Sequence, residues 1–385
     1  MRKAKHWRII IFKEVGVLAE HPWGTWVGNG DGTHSRICTL DNSHVDKANC
    51  SGGEATCLDR AVCEHCGEQY GDLKPPNLLD NAAAQNYNHE KTKEDITMKI
   101  STEIGSASRI VGEHKAVELI AKAGFDAWDF SMFAMAQYDW DNHTVMENGH
   151  PLRSGDYLKF ARELKKIGLD NGIVCNQSHA PFPADVKDIR DHFKRAIECT
   201  AEAGGEICIV HPDNYVGARE NAEIYFELLP FAKSCGVKIA AENMWCWDWK
   251  EDHAIFAACA TPESFNEHLD AVNDNYLTAC LDIGHAEMKG LNTSAVEMIH
   301  ALGKRLTALH LHDNDRWHDS HQIPFSMQID FDAVVKALKE IDYQGYFTLE
   351  ADSYLLRAFN ADTVSDGLRD MAKAARKLAA MFDAC

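Results

Sequence analysis

No run in the 385-residue sequence is long and apolar enough to cross a bilayer. Near the N-terminus the apolar stretch Ile9–Phe12 is cut short by Lys13 and Glu14, which is not the pattern of a signal peptide. A cytoplasmic location is therefore expected, with no membrane partner. Positive charge is also scarce: 39 Lys and Arg stand against 59 Asp and Glu, a net charge of −20. Residues 1–97 hold 11 basic and 14 acidic residues, or −3, so residues 98–385 carry −17. A field of that sign repels a phosphate backbone, and no Lys/Arg cluster offsets it, so nucleic acid is disfavoured as a partner. No glycine-rich phosphate turn follows the first strand-like run, which removes the signature of a dinucleotide fold.

Hydrophobic content of 45% and charged content of 25% are ordinary for a globular chain. There are thirteen cysteines, eight of them scattered beyond residue 97. Several lie in apolar runs such as Ile207–Val210 and read as reduced, buried thiols. The other five, Cys38, Cys50, Cys57, Cys63 and Cys66, fall in an irregular segment rich in Gly, Asn and Asp. His34 precedes them, and Cys63-x2-Cys66 forms a knuckle of the kind that holds tetrahedral zinc. Two readings of residues 1–97 stand side by side: a small zinc module, or a weakly structured appendage. A third is suggested by "KEDITMKIST", where Met98 directly precedes the first clear strand. Translation starting at Met98 would make residues 1–97 an upstream extension, which the mass of the natural protein tests.

From Met98 the pattern alternates. Apolar strand-like runs occur at 98–104, 125–131, 172–178, 206–210, 238–241, 276–281, 306–309 and 345–349. Between them, Lys115–Ala123, Tyr157–Ile167, Val186–Ala203 and Phe331–Ile341 show apolar residues three and four apart, the helical period. Gly124 and Gly236 follow such stretches, where a helix C-terminus favours positive φ. Eight strand–helix repeats in residues 98–385 predict an α/β fold, a (β/α)8 TIM barrel, with an open doubly wound sheet as the alternative.

In such a barrel, catalytic groups stand at the C-terminal strand ends. "IVCNQSHAP" ends near His179, "ICIVHPDN" at His211, and "KIAAEN" at Glu242. "LTACLDIGH" ends at Asp282, with His285 three residues on. "LTALHLHDND" ends at His310, and "YFTLEAD" at Glu350. Asp, Glu and His make up only 79 of the 385 residues. Any one such residue is ordinarily a turn former or a satisfied polar group. Six of them at one mouth would repel each other unless a divalent cation sat among them.

The motifs "AAEN", "LDIGH", "LHLHDNDR" and "TLEAD", in this order, resemble the sugar isomerase/epimerase superfamily of xylose-isomerase-like barrels, which also includes the barrel-type apurinic endonucleases. The resemblance covers residues 98–385 and none of 1–97. It implies Glu242, Asp282, His310 and Glu350 as ligands of one divalent metal. Manganese is the expected ion, with zinc, cobalt and magnesium as alternatives. His310 is preferred to His312 because the family places an acidic residue three beyond the ligand, as Asp313 does. His312 is then a neighbour on the same strand face. Arg316, six beyond His310, matches a substrate-binding arginine. The endonuclease branch adds ligands for further zinc ions, matched by His179, His211, His285, Asp319 and His321.

The resemblance implies proton abstraction next to a carbonyl on a sugar or sugar phosphate, through an enediolate. Glu242 and Glu350 would be the acid and base, with His179, His285 and Arg316 holding substrate oxygens. Trp245, Trp247 and Trp249 either wall the mouth against a sugar face or simply pack the rim. A multinuclear zinc phosphoesterase is the competing reading, and the acidic charge argues against a DNA substrate for it. A polyol dehydratase on the same ligands and a non-catalytic sugar sensor complete the set. Homo-oligomers are common in the superfamily, so one is an open expectation.

Overall fold

The computed structural model of the chain describes residues 23–29, 31–39, 43, 45–52, 61–71 and 97–385. The chain divides into two compact units, Met1–Pro75 and Pro76–Cys385. The division expected after residue 97 comes just beyond residues 72–96, which, like Cys57, lie outside the described residues.

In the first unit, strands Val27–Gly28, Thr33–Ile37 and Val45–Asn49 form an antiparallel meander. A short hairpin pairs Ala61–Val62 with Gln69–Tyr70. The Arg36 guanidinium lies 4.5 Å from the centroid of the Trp26 ring and 2.8 Å from Asp46.

In the second unit, eight strands form one parallel sheet. They are β1 Ile100–Glu103, β2 Ala127–Ser131, β3 Val174–His179, β4 Ile207–Ile209, β5 Lys238–Glu242, β6 Leu277–Asp282, β7 Leu306–His310 and β8 Phe347–Leu349. Their lateral order runs from β7 down to β1 and then to β8. A parallel bridge between Leu311 and Leu349 joins the two ends of that order. There Leu311 N–H donates to Thr348 O at 2.9 Å, and Glu350 N–H donates to Leu311 O at 3.0 Å. The sheet thus closes into the expected barrel. Strands covered on both faces explain the near-continuous apolar runs of the sequence.

Helices Glu113–Ala123, Tyr157–Asp170, Phe193–Ala203, Ala218–Cys235, Pro262–Val272, Ala295–Leu302, Phe331–Glu340 and Val364–Ala384 follow the successive strands. Gly124 and Gly236 cap two of them at φ of 101° and 70°, a conformation that a side chain would strain. The stretch expected as one helix over Val186–Ala203 breaks into Lys187–Arg190 and Phe193–Ala203. His192 N–H bonds the carbonyl three residues back, Ile189, which tightens the turn and interrupts the α ladder. The Arg376 guanidinium grips both oxygens of Asp126, at 2.8 and 2.7 Å, and Asp126 also accepts from Ile100 N–H. This ties the last helix to the start of the barrel.

The barrel interior beneath the site is polar. Ser101 Oγ donates to Asn176 Oδ1, and Asn176 Nδ2 to Thr348 Oγ1. Thr348 Oγ1 donates to Gln177 Oε1, and Gln177 Nε2 donates to Asp129 Oδ2 at 2.8 Å. Satisfied polar chains of this kind hold a core in one arrangement. Above it, the loop after β7 is anchored by one buried carboxylate. Asp313 accepts backbone N–H bonds from Asn314, Met327, Gln328 and Ile329, at 2.7 to 3.1 Å. Its own backbone pairs in both directions with Gln322. The residue read from sequence as a family marker is thus a loop anchor.

Asp313→Ala would strand those backbone donors. Denaturant unfolding is expected to show a loss of about 3 kcal/mol or more. A change within error would show that the loop holds itself without this carboxylate.

Candidate metal centre

The strand ends deliver their polar side chains to one mouth, and Glu242 is the point where they meet. Its carboxylate is 1% exposed. Oε1 lies 2.9 Å from His310 Nδ1, and Oε2 lies 3.0 Å from His211 Nε2 and 3.4 Å from His179 Nε2. Glu350 reaches the same nitrogen of His310, with Oε2 at 3.1 Å. Glu242, His310 and Glu350 therefore converge as the sequence implies.

Asp282, the fourth expected ligand, faces a neighbouring cluster. Its Oδ1 accepts from His285 N–H at 2.7 Å and sits 3.0 Å from His312 Nε2. His312 belongs with His285, Asp319 and His321, whose candidate ligand atoms all lie within 4.8 Å of one another. The His312 and His321 rings stack with centroids 4.0 Å apart. His179, His211 and Glu242 form a second such group, and His179, His310 and Glu350 a third. The glycine of "LDIGH" has a steric reason: a Cβ on Gly284 would lie 1.9 Å from the His312 ring.

Three imidazoles share one orientation. His179 Nδ1–H donates to Ala180 O, His285 Nδ1–H to Asn243 O, and His321 Nδ1–H to Glu350 O, each at 2.8 Å. With Nδ1 committed as donor, Nε2 of the neutral ring carries the lone pair and faces the carboxylates. This is how metal-binding histidines are ordinarily held. Among the described residues, Asp282 Oδ2 and Asp319 Oδ1 are buried and have no hydrogen-bond partner. Buried carboxylate oxygens left open beside oriented imidazoles fit divalent cations.

The charges are strongly coupled. Burial would raise Glu242, but the charge on His310 and hydrogen bonds from His179 and His211 carry it well below the ordinary carboxylate range. Burial opposes a charge on His285, but Asp282 and Asp319 prevail and raise the ring to about 10. His211 moves the other way: burial, with the charge of His179 beside it, lowers it to about 4. Asp282 is held at about 2, against burial, by His285 and His312. Without a cation, imidazolium protons balance the carboxylates.

The cluster floors a cavity of about 1420 Å³. Phe133, Phe182, Trp140, Tyr215, Trp245 and Trp247 supply its aromatic walls. Trp245 and Trp247 lie on the hairpin Trp245–Asp248/His253–Phe256 and also pack on Ala254, Met288 and Leu291. These two tryptophans thus line the cavity and pack the rim. Trp249 is 87% exposed at the mouth.

Arg316 departs from expectation. It has φ of +66°, pairs with Glu287 at 3.1 Å, and is absent from the cavity lining, where Arg109 supplies a guanidinium. The left-handed backbone turns its side chain toward Glu287. His321, at φ +42°, is one of nine non-glycine residues with positive φ among the described residues. Such conformations cost on the order of 1–3 kcal/mol and persist where surrounding contacts enforce them.

Two residues escaped the sequence reading. Asp129, midway along β2, lies 3.4 Å from His310 Nε2 and so turns Nδ1 toward Glu242 and Glu350. Glu103 ends β1 and accepts from Ser106 N–H and Oγ–H. Burial, joined by the charges of Asp352 and Glu350 and opposed by Ser106, pushes Glu103 up to about 7. The strand-end rule, applied to the first strand, points to Glu103; Asp129 lies two residues short of the β2 end and is revealed only by its contact with His310.

Asp129→Asn replaces the charged acceptor for His310 Nε2–H with a weaker, neutral amide. Metal affinity, measured by competition with a chelating indicator, is expected to fall between roughly 10- and 100-fold with the circular dichroism unchanged. Unaltered affinity would remove Asp129 from this role. For Glu103, the native state keeps a proton up to about pH 7 that the unfolded chain releases near its ordinary value of 4.5. Stability of the metal-depleted protein should therefore fall as pH rises through that window, by up to ~3 kcal/mol. Glu103→Gln should flatten this fall, and an identical pH profile in the variant would contradict the assignment.

Comparison with known proteins agrees with this architecture. Residues 117–382 match the family of xylose isomerase-like TIM barrels. An uncharacterized protein of Methanocaldococcus jannaschii is 30% identical over 253 residues, 61% of this chain and 78% of its own. The crystal structure of a D-tagatose 3-epimerase-like protein is similar at a TM-score of 0.55 and 24% identity, covering 74% of this chain and 98% of that one. The IOLI protein, solved with a bound zinc atom, is similar at a TM-score of 0.57 and 17% identity, covering 74% and 99%. The chain belongs to the xylose isomerase-like TIM barrel family.

Proposed function

We propose that the protein is a divalent-metal-dependent isomerase or epimerase acting on a ketose or a ketose phosphate. One observation carries this reading: the carboxylates of Glu242 and Glu350 converge on one imidazole nitrogen, at 2.9 and 3.1 Å, beneath an aromatic-walled cavity. Structurally similar proteins include a D-tagatose 3-epimerase-like protein and an L-ribulose 3-epimerase.

Glu242, His310 and Glu350, with Asp282 beside them, would hold the cation, with manganese the first candidate. When bound, it supplies positive charge to stabilise oxyanions that develop on the substrate. The chain's own groups do the rest. Glu350 and Glu242 come from strands on different sides of the barrel mouth. One carboxylate takes the proton from the carbon next to the carbonyl and keeps it, while the other carboxyl gives its own proton to the enediolate; exchange with water then resets both groups. Burial raises the pKa of Glu350 and favours its proton-holding form, while the surrounding imidazoles oppose this and Glu242 adds to it. Glu242 stays ionised. Two carboxyls with separated affinities are suited to opposite roles. His179 and His285 face the cavity as hydrogen-bond groups for hydroxyls, and Trp245 and Phe133 offer faces for the C–H side of a sugar ring. Arg109, which lines the cavity, would supply the guanidinium first expected from Arg316.

The cluster His285, His312, Asp319 and His321 favours a second reading, a multinuclear zinc phosphoesterase. Metal analysis and one labelling experiment separate the two. In heavy water, the metal-loaded protein is expected to place deuterium on the carbon of a ketose, and a chelator should stop this. Glu350→Gln should slow exchange by about 10²–10⁴-fold. Two or three zinc ions per chain with release of phosphate, and no carbon exchange, would favour the hydrolase. Loss of water after proton abstraction would instead make the enzyme a dehydratase.

A further inference from the structure

Among its described residues, the first unit shows little of the apolar core that a folded module needs. Its described buried residues are His34, Cys38, Cys50, Ala61 and Cys63, with Cys66 half-buried. Its larger aliphatic side chains point outward: Val27 is 62% exposed, Val45 55% and Ile37 48%. Among the described residues there is no aliphatic core, and units of this size commonly depend on a metal or disulfides instead.

The buried groups are arranged as a ligand set. His34 Nδ1 lies 3.2 Å from Cys63 Sγ, and Cys50 Sγ lies 3.9 Å from Cys66 Sγ. One ligand atom from each of the four falls within 4.8 Å of the others. Tetrahedral zinc with bonds of about 2.3 Å to sulfur and 2.0 Å to nitrogen has ligand–ligand edges of roughly 3.5–3.8 Å. The observed separations bracket those edges. A sulfur–sulfur distance of 3.9 Å is also far beyond a disulfide bond, which is about 2.05 Å long.

The backbone supports the same arrangement. His34 sits in the second strand of the meander, and Cys50 directly follows the third, with its N–H bound to Gly32 O at 2.9 Å. Cys63 and Cys66 occupy the turn of the short hairpin, where Gly67, at φ +75°, returns its N–H to Cys63 O. Cys38, although buried, is outside the group.

We propose that His34, Cys50, Cys63 and Cys66 bind one structural zinc ion that serves as the core of the N-terminal unit. This site is separate from the barrel's carboxylate and imidazole cluster and does not depend on the reaction catalysed there. All four coordination positions are filled by protein, so the ion holds the fold together and leaves no open position for a substrate.

The test uses the full chain, checked by intact mass, with its metals replaced by cobalt(II). Tetrahedral cobalt bound by thiolates gives an intense sulfur-to-cobalt charge-transfer absorption in the near ultraviolet. That absorption is expected in the wild type, in C38S and in E350Q. The double variant C63S/C66S should lose it, together with about one metal equivalent per chain. Circular dichroism of the double variant should show the barrel still folded. A wild-type chain without the thiolate absorption would overturn the proposal. So would a double variant that keeps both the absorption and its full metal content.

Discussion

Glu242 is buried among three imidazoles, and much of the barrel's upper structure exists to keep it there. A carboxylate taken out of water is costly unless opposite charge and hydrogen bonds surround it. His310 supplies the charge, and His211 and His179 supply hydrogen bonds, from three different strands. The price is a concentration of charge that a cation can share. Open carboxylate oxygens at Asp282 and Asp319, beside imidazoles whose outer nitrogens are already committed, leave room for that cation.

Orientation is imposed from below and above. Below, the chain from Ser101 through Asn176, Thr348 and Gln177 ends at Asp129, which fixes the His310 ring. Above, Asp313 gathers the loop that returns Asp319 and His321 to the mouth. The left-handed backbone at His321 is sustained by this anchoring. Neither device touches a substrate, yet each determines where a ligand atom points.

The two units obtain cohesion differently. The barrel closes eight strands around a filled interior and covers them with helices. Among its described residues, the N-terminal unit turns Val27, Ile37, Val45 and Val62 outward and the thiols of Cys38, Cys50 and Cys63 inward. Burying thiols and an imidazole together without an apolar core is reasonable only if something binds them. Imidazole is thus grouped with potential ligands twice in this chain, with carboxylates in the barrel and with thiols in the smaller unit.

The sequence by itself determined the alternation of strands and helices, because apolar runs and helical periodicity are local properties. Each of the eight observed strands overlaps its expected run. It also determined which ligand types stand at the strand ends, since the barrel rule turns chain position directly into spatial position. Tertiary structure decided the pairings. His310 and His312 share a strand face, yet one meets Glu242 and Glu350 while the other meets Asp282. Arg316 follows the expected spacing, but its backbone conformation and Glu287 take it away from the cavity. From five cysteines and a histidine, the fold brings together His34, Cys50, Cys63 and Cys66 and leaves Cys38 aside. A ligand set is defined by distances of a few ångströms between segments far apart in the chain. Only closure of the barrel and pairing of the hairpins set those distances.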